Sequence, residues 1–150
     1  MRYNNCHEVF HLNKGGIPMA KFEMKPEFFT GIDFIDQEHA KLFSLANEAY
    51  ELLTNDFIPD KYDYILELVN ELRDYTKYHF THEEEYMQQI GYRRILSQKV
   101  DHMEFVAKLD EYDLTTIDEN QKEVLMNLLV YLNEWLIGHI YKKDKLIAEE

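Results

Sequence analysis

Residues 60–89, DKYDYILELVNELRDYTKYHFTHEEEYMQQ, decide the architecture. Ile65, Leu68, Leu72 and Tyr75 recur three or four residues apart, and the same stripe runs on through His79, Glu83 and Met87. That alternation is the buried face of an amphipathic α-helix. Its first half is ordinary core. The His–Glu pair near its end is costly to bury unless something pairs with it.

Three further segments carry stripes of the same kind. The first helix is expected to start at Asp36, a residue of N-cap type, and to run to about Thr54, with the seam Ile35, His39, Leu42, Ala46, Ala49, Leu53. Asn55-Asp56 and Pro59 end it, and the second helix, from about Asp60 to Gln89, stops before Gly91. The third is expected from about Arg93 to Tyr112, with Ile95, Gln98, His102, Phe105, Leu109 and Tyr112 inward. The fourth is expected from about Asp118 to Lys145, with Leu125, Leu128, Leu132, Leu136 and His139 inward. Short connections make neighbouring helices antiparallel. The expected fold is therefore all-α, an up-down-up-down antiparallel four-helix bundle over residues 25–150 with an N-terminal extension.

Residues 1–24 lack a sustained period and contain Gly15-Gly16 and Pro18, which reads as a poorly ordered tail. Residues 1–18 also read as a mis-assigned start. Lys14-Gly15-Gly16 is what a purine-rich ribosome-binding sequence would encode, and Met19 follows at a suitable distance. Phe28 to Ile35 forms an apolar lead-in expected to pack across the bundle, broken at Gly31.

Composition narrows the function class. A net charge of -13 argues against a nucleic-acid backbone or an anionic membrane as partner. The single cysteine, Cys6, excludes an internal disulfide and fits a reducing compartment. No apolar run approaches the ~20 residues of a membrane span, and the N-terminus lacks the apolar core of a secretory signal. A cytoplasmic, monomeric protein is expected.

The polar seam residues share a depth. His39 lies in the first turn of helix one, His79 and Glu83 toward the end of helix two, Gln98 and His102 toward the start of helix three, and His139 and Asp144 near the end of helix four. In an up-down bundle those four ends coincide. One histidine on an apolar seam is ordinarily a hydrogen-bonded core residue. Four of them with two carboxylates at one depth read as a metal site. His79 and Glu83 are i and i+4, as are Gln98 and His102, so each pair can address one centre. Asp144, five residues past His139, lies about 140° round a regular helix at ~100° per residue, so spacing alone does not turn it inward. Imidazoles with carboxylates suit iron, zinc or manganese, and two bridging carboxylates suit a pair of metals. His82 falls off the seam and reads as solvent-facing. His7 and His11 lie in the tail. The abundant tyrosines, Tyr75 among them, fall at core spacing and read as packing.

The stretches Ile35-Asp36-Gln37-Glu38-His39-Ala40-Lys41-Leu42-Phe43, His79-Phe80-Thr81-His82-Glu83-Glu84 and Trp135-Leu136-Ile137-Gly138-His139-Ile140, the last continuing to Asp144, resemble the hemerythrin family in its single-domain bacterial form, over about residues 25–146. The resemblance implies two non-haem iron ions, carboxylate-bridged, in a four-helix bundle that binds dioxygen reversibly. By position it implies Glu83 and Asp144 as bridging carboxylates, His39 and His79 on the iron where dioxygen docks, and His102 and His139 on the other. Leu136, one turn before His139, is expected to contact the cofactor. The third segment departs from the family's HxxxH and reads Gln98-Lys99-Val100-Asp101-His102. Either the Gln98 amide oxygen ligates or water takes that position.

Three functions follow for comparison. The first is dioxygen binding for storage, delivery or sensing. The second is an enzyme that reduces dioxygen, peroxide or nitric oxide at a centre with an extra labile position. The third is a degraded metal-binding bundle. A ferritin-like oxidase fits less well, because that class needs ExxH pairs on two helices.

Overall fold

The computed structural model describes residues 22–112 and 117–149. Four helices build it: α1 (Asp33–Thr54), α2 (Tyr62–Ile90), α3 (Ile95–Asp110) and α4 (Gln121–His139). α1 packs against α2 and α4, and α2 against α3. Contacts run in opposite order along neighbours. Glu38 meets His79 while Lys41 meets Glu71, and Glu83 meets His102 while Arg73 meets Asp110. The helices are therefore antiparallel, as the short connections require.

The seams become the core. Leu42, Ala46, Ala49, Ile65, Leu72, Phe105, Leu109, Leu125, Leu128 and Leu132 are all buried in one apolar cluster. A smaller cluster of Met87, Tyr92 and Ile147 lies toward the other end. Between these two oily layers sits the polar layer of His39, His79, Glu83, Gln98, His102, His139 and Asp144, every one of them buried.

The ends of the helices differ from expectation in instructive ways. α1 begins at Asp33, three residues before Asp36. Asp36 does not cap the helix. Its carboxylate accepts from Thr30 N (2.8 Å), Thr30 Oγ1 (2.8 Å) and Gly31 N (3.0 Å), so it ties the lead-in back onto the first turn. Gly31 makes that bend with φ 86°, in the left-handed region that favours glycine. Phe28 is fully buried, edge-on to Phe43 at 5.8 Å and to Tyr141 at 6.3 Å. The lead-in thus packs across the bundle. α2 closes at Gly91, φ 66°, where Tyr92 N–H bonds Met87 O at 2.9 Å.

The expected tail, and with it the start proposed at Met19, lies outside the described residues as far as residue 21. Residues 22–24 are described. Phe22 is buried, and its backbone N and O pair with the Asn47 amide at 2.7 and 2.9 Å.

The fourth helix is not regular to its end. After His139 it passes into a π-helical turn, Ile140–Asp144, and finishes with one α turn, Lys145–Ile147. Among the described residues no helix is long and apolar enough to cross a membrane.

Candidate metal centre

Four helix ends deliver the polar layer, and its atoms sort into two groups. Glu83 Oε2 lies 3.4 Å from His79 Nε2 and 3.7 Å from His39 Nε2, while Glu83 Oε1 lies 3.0 Å from His102 Nε2. Asp144 divides in the same way. Its Oδ2 is 2.9 Å from His39 Nε2, and its Oδ1 is 3.1 Å from His139 Nε2. One group is His39, His79, Glu83 and Asp144; the other is Glu83, His102, His139 and Asp144, with the ligand atoms of each lying within 4.8 Å of one another. Each carboxylate gives one oxygen to each group, which is the arrangement of a bridge.

Asp144 reaches this layer because of the π turn. In an i→i+5 turn residue i+5 comes back beneath residue i, so Asp144 falls beneath His139 on the inward face. A regular helix would have swung it aside.

The donor atoms fit a pair of metal ions better than they fit each other. His39 Nε2, both Glu83 oxygens, His102 Nε2 and His139 Nε2 are buried with no aligned hydrogen bond, despite approaches near 3 Å. Buried polar atoms are normally satisfied. Here nitrogen and carboxylate atoms converge on shared points, as they do around a cation.

Electrostatics give the same picture of the metal-free protein. Burial pushes His79 down, but the Glu83 charge and the Glu38 and Glu83 contacts more than reverse it, to about 10. His39 and His102 are likewise lowered by burial and raised overall, by contacts with Asp144 and Glu83 for His39 and chiefly with Glu83 for His102. Burial raises Glu83, yet the His79 charge and contacts with His102, His39 and His79 hold it well below the carboxylate range. Burial and the Glu83 charge raise Asp144, and His139 and His39 bring it to about 2. Imidazolium protons neutralise the carboxylates where metal cations otherwise would.

Three carboxylates outside the groups hold the far nitrogens of the rings. Glu38 Oε1 is 2.7 Å from His79 Nδ1, Glu84 Oε2 is 2.8 Å from His102 Nδ1, and Asp101 Oδ2 is 3.5 Å from His139 Nδ1. At His79 and His102 the contact is a hydrogen bond, which fixes the tautomer and leaves the Nε2 lone pair for a metal, whereas Asp101 lies within ion-pair distance of His139 and bonds Lys143. Two aromatic rings hold the planes: Phe80 stacks on His102 at 3.9 Å and Trp135 on His139 at 4.3 Å.

None of Glu38, Glu84 and Asp101 stands out in the sequence reading, since each lies off a seam in a chain with 30% charged residues. The signal was adjacency: each sits one residue from a seam residue, beside His39, Glu83 and His102. His82 is half-exposed, as an off-seam position should be, but it is not free. Its Nδ1 meets Glu38 Oε2 at 2.6 Å, so Glu38 clamps His79 and His82 together. That clamp forms part of the floor of an outer groove of about 910 Å³ between α1 and α2.

Gln98 is buried beside the His102–His139 group, and its Nε2 donates to Asp144 Oδ1 at 3.1 Å. Leu136, one turn before His139, is fully buried in the main core. His7 and His11 lie outside the described residues.

Comparison with known proteins agrees with this geometry. Residues 30–150 match the hemerythrin HHE cation binding domain. The chain is similar to a bacteriohemerythrin of Clostridium acetobutylicum, 41% identical over 124 residues that cover 83% of this chain and 96% of that one. It is also similar to a bacteriohemerythrin of Stenotrophomonas maltophilia, 29% identical over 132 residues, or 88% of this chain and 82% of that one. The solved structure of a wild-type hemerythrin superposes with a TM-score of 0.72 at 26% identity, covering 87% of this chain and 97% of that one. The chain belongs to the hemerythrin family.

Proposed function

We propose that this bundle holds two non-haem iron ions and binds dioxygen for storage, delivery or sensing. The observation that carries the reading is the pair of donor groups sharing Glu83 and Asp144, two imidazoles and two carboxylates in each. In this reading His39 and His79 would hold one iron and His102 and His139 the other, with Glu83 and Asp144 contributing to both and Gln98 and Leu136 lining the site. The family supports iron and dioxygen over other metals and ligands.

When bound, the two irons supply the redox capacity by which dioxygen is held. The chain's own residues do the rest. Glu38 and Glu84 orient the His79 and His102 imidazoles. Phe80 and Trp135 keep their planes fixed, and the buried leucines around them exclude water. The seven polar residues of the layer are all buried, which keeps bulk solvent from the site.

The reading is completed by a monomeric, cytoplasmic chain with no nucleic-acid partner. Its supports are the net charge of -13 and the single cysteine. Anaerobic loading with ferrous iron followed by exposure to air tests the function. A charge-transfer colour that disappears when oxygen is removed and returns on re-exposure is expected. Prompt, irreversible oxidation with release of peroxide would instead identify an enzyme, and the absence of colour a degraded site.

A further inference from the structure

We infer that Gln98 serves as the hydrogen-bond partner of Asp144 and is not a metal ligand, so that the His102–His139 side of the centre keeps an exchangeable position for a second small ligand, water at rest and a small anion such as azide on challenge. The inference rests on the di-iron reading above.

Donor counting carries the first step. Each group has two imidazole nitrogens and two carboxylate oxygens, so in histidine and carboxylate donors the two sets match in number and kind. Sets of histidine and carboxylate of this size leave open positions on iron. The side chain placed to add a third donor is Gln98, which bonds Asp144; buried Glu38 also bonds into a group, but at the far nitrogen of His79.

The orientation of its amide carries the second step. The edge of Gln98 turned toward the cluster is its NH₂, which donates to Asp144 Oδ1 at 3.1 Å. That oxygen is the one serving the His139 side. The reverse orientation would set two oxygens against each other, so this assignment follows from the network. The amide nitrogen is thereby engaged with Asp144, leaving the oxygen, the atom by which an amide could ligate.

The remaining atom carries the third. Gln98 Oε1 is buried and has no hydrogen-bond partner. A buried carbonyl is normally satisfied by protein or by water. Its nitrogen is fixed beside Asp144 Oδ1, and the oxygen of the same planar amide is only about 2.3 Å from that nitrogen by covalent geometry. It therefore lies at the edge of the His102–His139 group. A water occupying the open position there would satisfy it.

The test counts ligands. Wild type and Gln98→His are loaded with iron, their metal content is measured, and the ferric proteins are titrated with azide by calorimetry. At two irons per chain, wild type is expected to take two azides and Gln98→His one, because imidazole fills the second position. Gln98→Leu, which can neither ligate nor donate, is expected to take two, as wild type does. A single azide in wild type with two in Gln98→Leu would make Gln98 a ligand and overturn the inference. If fewer than two irons bind, the di-iron reading fails on its own. The role of Gln98 is then read in the metal-free protein. Its side-chain amide protons should exchange slowly and lose that protection in Asp144→Asn. Unchanged exchange would overturn it.

Discussion

Asp144 stands five residues after His139, yet its Oδ1 lies 3.1 Å from His139 Nε2. The π turn Ile140–Asp144 makes that approach possible. Its second oxygen meets His39 at 2.9 Å, from the opposite end of the chain. One side chain thereby joins α1, α4 and both donor groups. Replacing it should cost more than one ligand. Asp144→Asn, nearly isosteric but uncharged, is expected to lower iron from two per chain to one or none while the helical circular dichroism persists. Retention of two irons at unchanged affinity would remove Asp144 from the bridge.

Glu38 should matter although it touches no metal. It holds His79 Nδ1 at 2.7 Å and His82 Nδ1 at 2.6 Å with its two oxygens. Glu38→Gln swaps one acceptor for a donor and leaves the His79 tautomer unspecified. Outer partners of this kind are worth roughly 10–100-fold in metal affinity. Chelator competition should show a loss in that range for Glu38→Gln. His82→Ala leaves the Glu38–His79 bond in place and should lose much less.

The four seams and their common depth made the bundle and six of the seven polar positions readable without coordinates. A three-four stripe is periodic whatever the rest of the chain does, and helix ends in an up-down bundle alternate by construction. Asp144 was not readable from spacing, because one extra residue in a turn leaves no compositional trace. Its inward role came only from the family resemblance. Asp36 has the sequence pattern of a cap, but a short acidic side chain at a helix start can as well bond backward to the lead-in as forward to the helix. Glu38, Glu84 and Asp101 were invisible for another reason. On an acidic surface, an off-seam carboxylate has the same pattern whether it faces water or the back of a ligand.

The metal-free and iron-loaded proteins should respond to pH in opposite ways. His39, His79 and His102 are raised above 6.5 in the folded state. Their contribution to stability is complete below that value and is lost as pH rises, in the case of His79 near 10. Glu83 and Asp144 are depressed, so theirs is complete above about 4.5 and is lost as pH falls, in the case of Asp144 near 2. The metal-free protein should therefore owe most to these pairs between about pH 4.5 and 6.5. Iron must displace the same protons, so its stabilising increment should grow as pH rises. Melting temperatures of both forms from pH 5 to 8.5 are the measurement. An iron increment that shrinks with rising pH would contradict the assignment.

Gln98→His should change how long dioxygen stays. The site lies one turn before His102 on the same inward face, and an imidazole there adds nitrogen donation to the His102–His139 side. Stronger donation, with the extra solvent position filled, should slow autoxidation. Stopped-flow decay of the oxygenated protein is expected to be roughly 10–100-fold slower in the variant, the range seen for changes of comparable size around metal sites. Equal or faster decay would mean that the surroundings are adapted to glutamine.

Leu136 offers a separate test of the dry lining. It is fully buried, one turn before His139, so the two side chains share a helix face. Leu136→Ala removes three carbons from a packed site and should cost about 2–5 kcal/mol of stability, the spread depending on how far the surroundings collapse. The functional effect should be larger than that loss implies. A cavity beside donors as polar as His139 and Asp144 can hold water, whereas an all-apolar cavity stays empty. Water near the centre gives bound dioxygen a route to protonation and departure. Autoxidation in Leu136→Ala should therefore quicken well before the protein unfolds. Leu132→Ala, one turn farther from His139 in the same buried stripe, provides the comparison. It should lose similar stability, since that cavity is lined by core, and leave autoxidation near the wild-type rate. If both variants autoxidise alike, the acceleration reflects general loosening of the bundle and Leu136 has no special part in shielding the site.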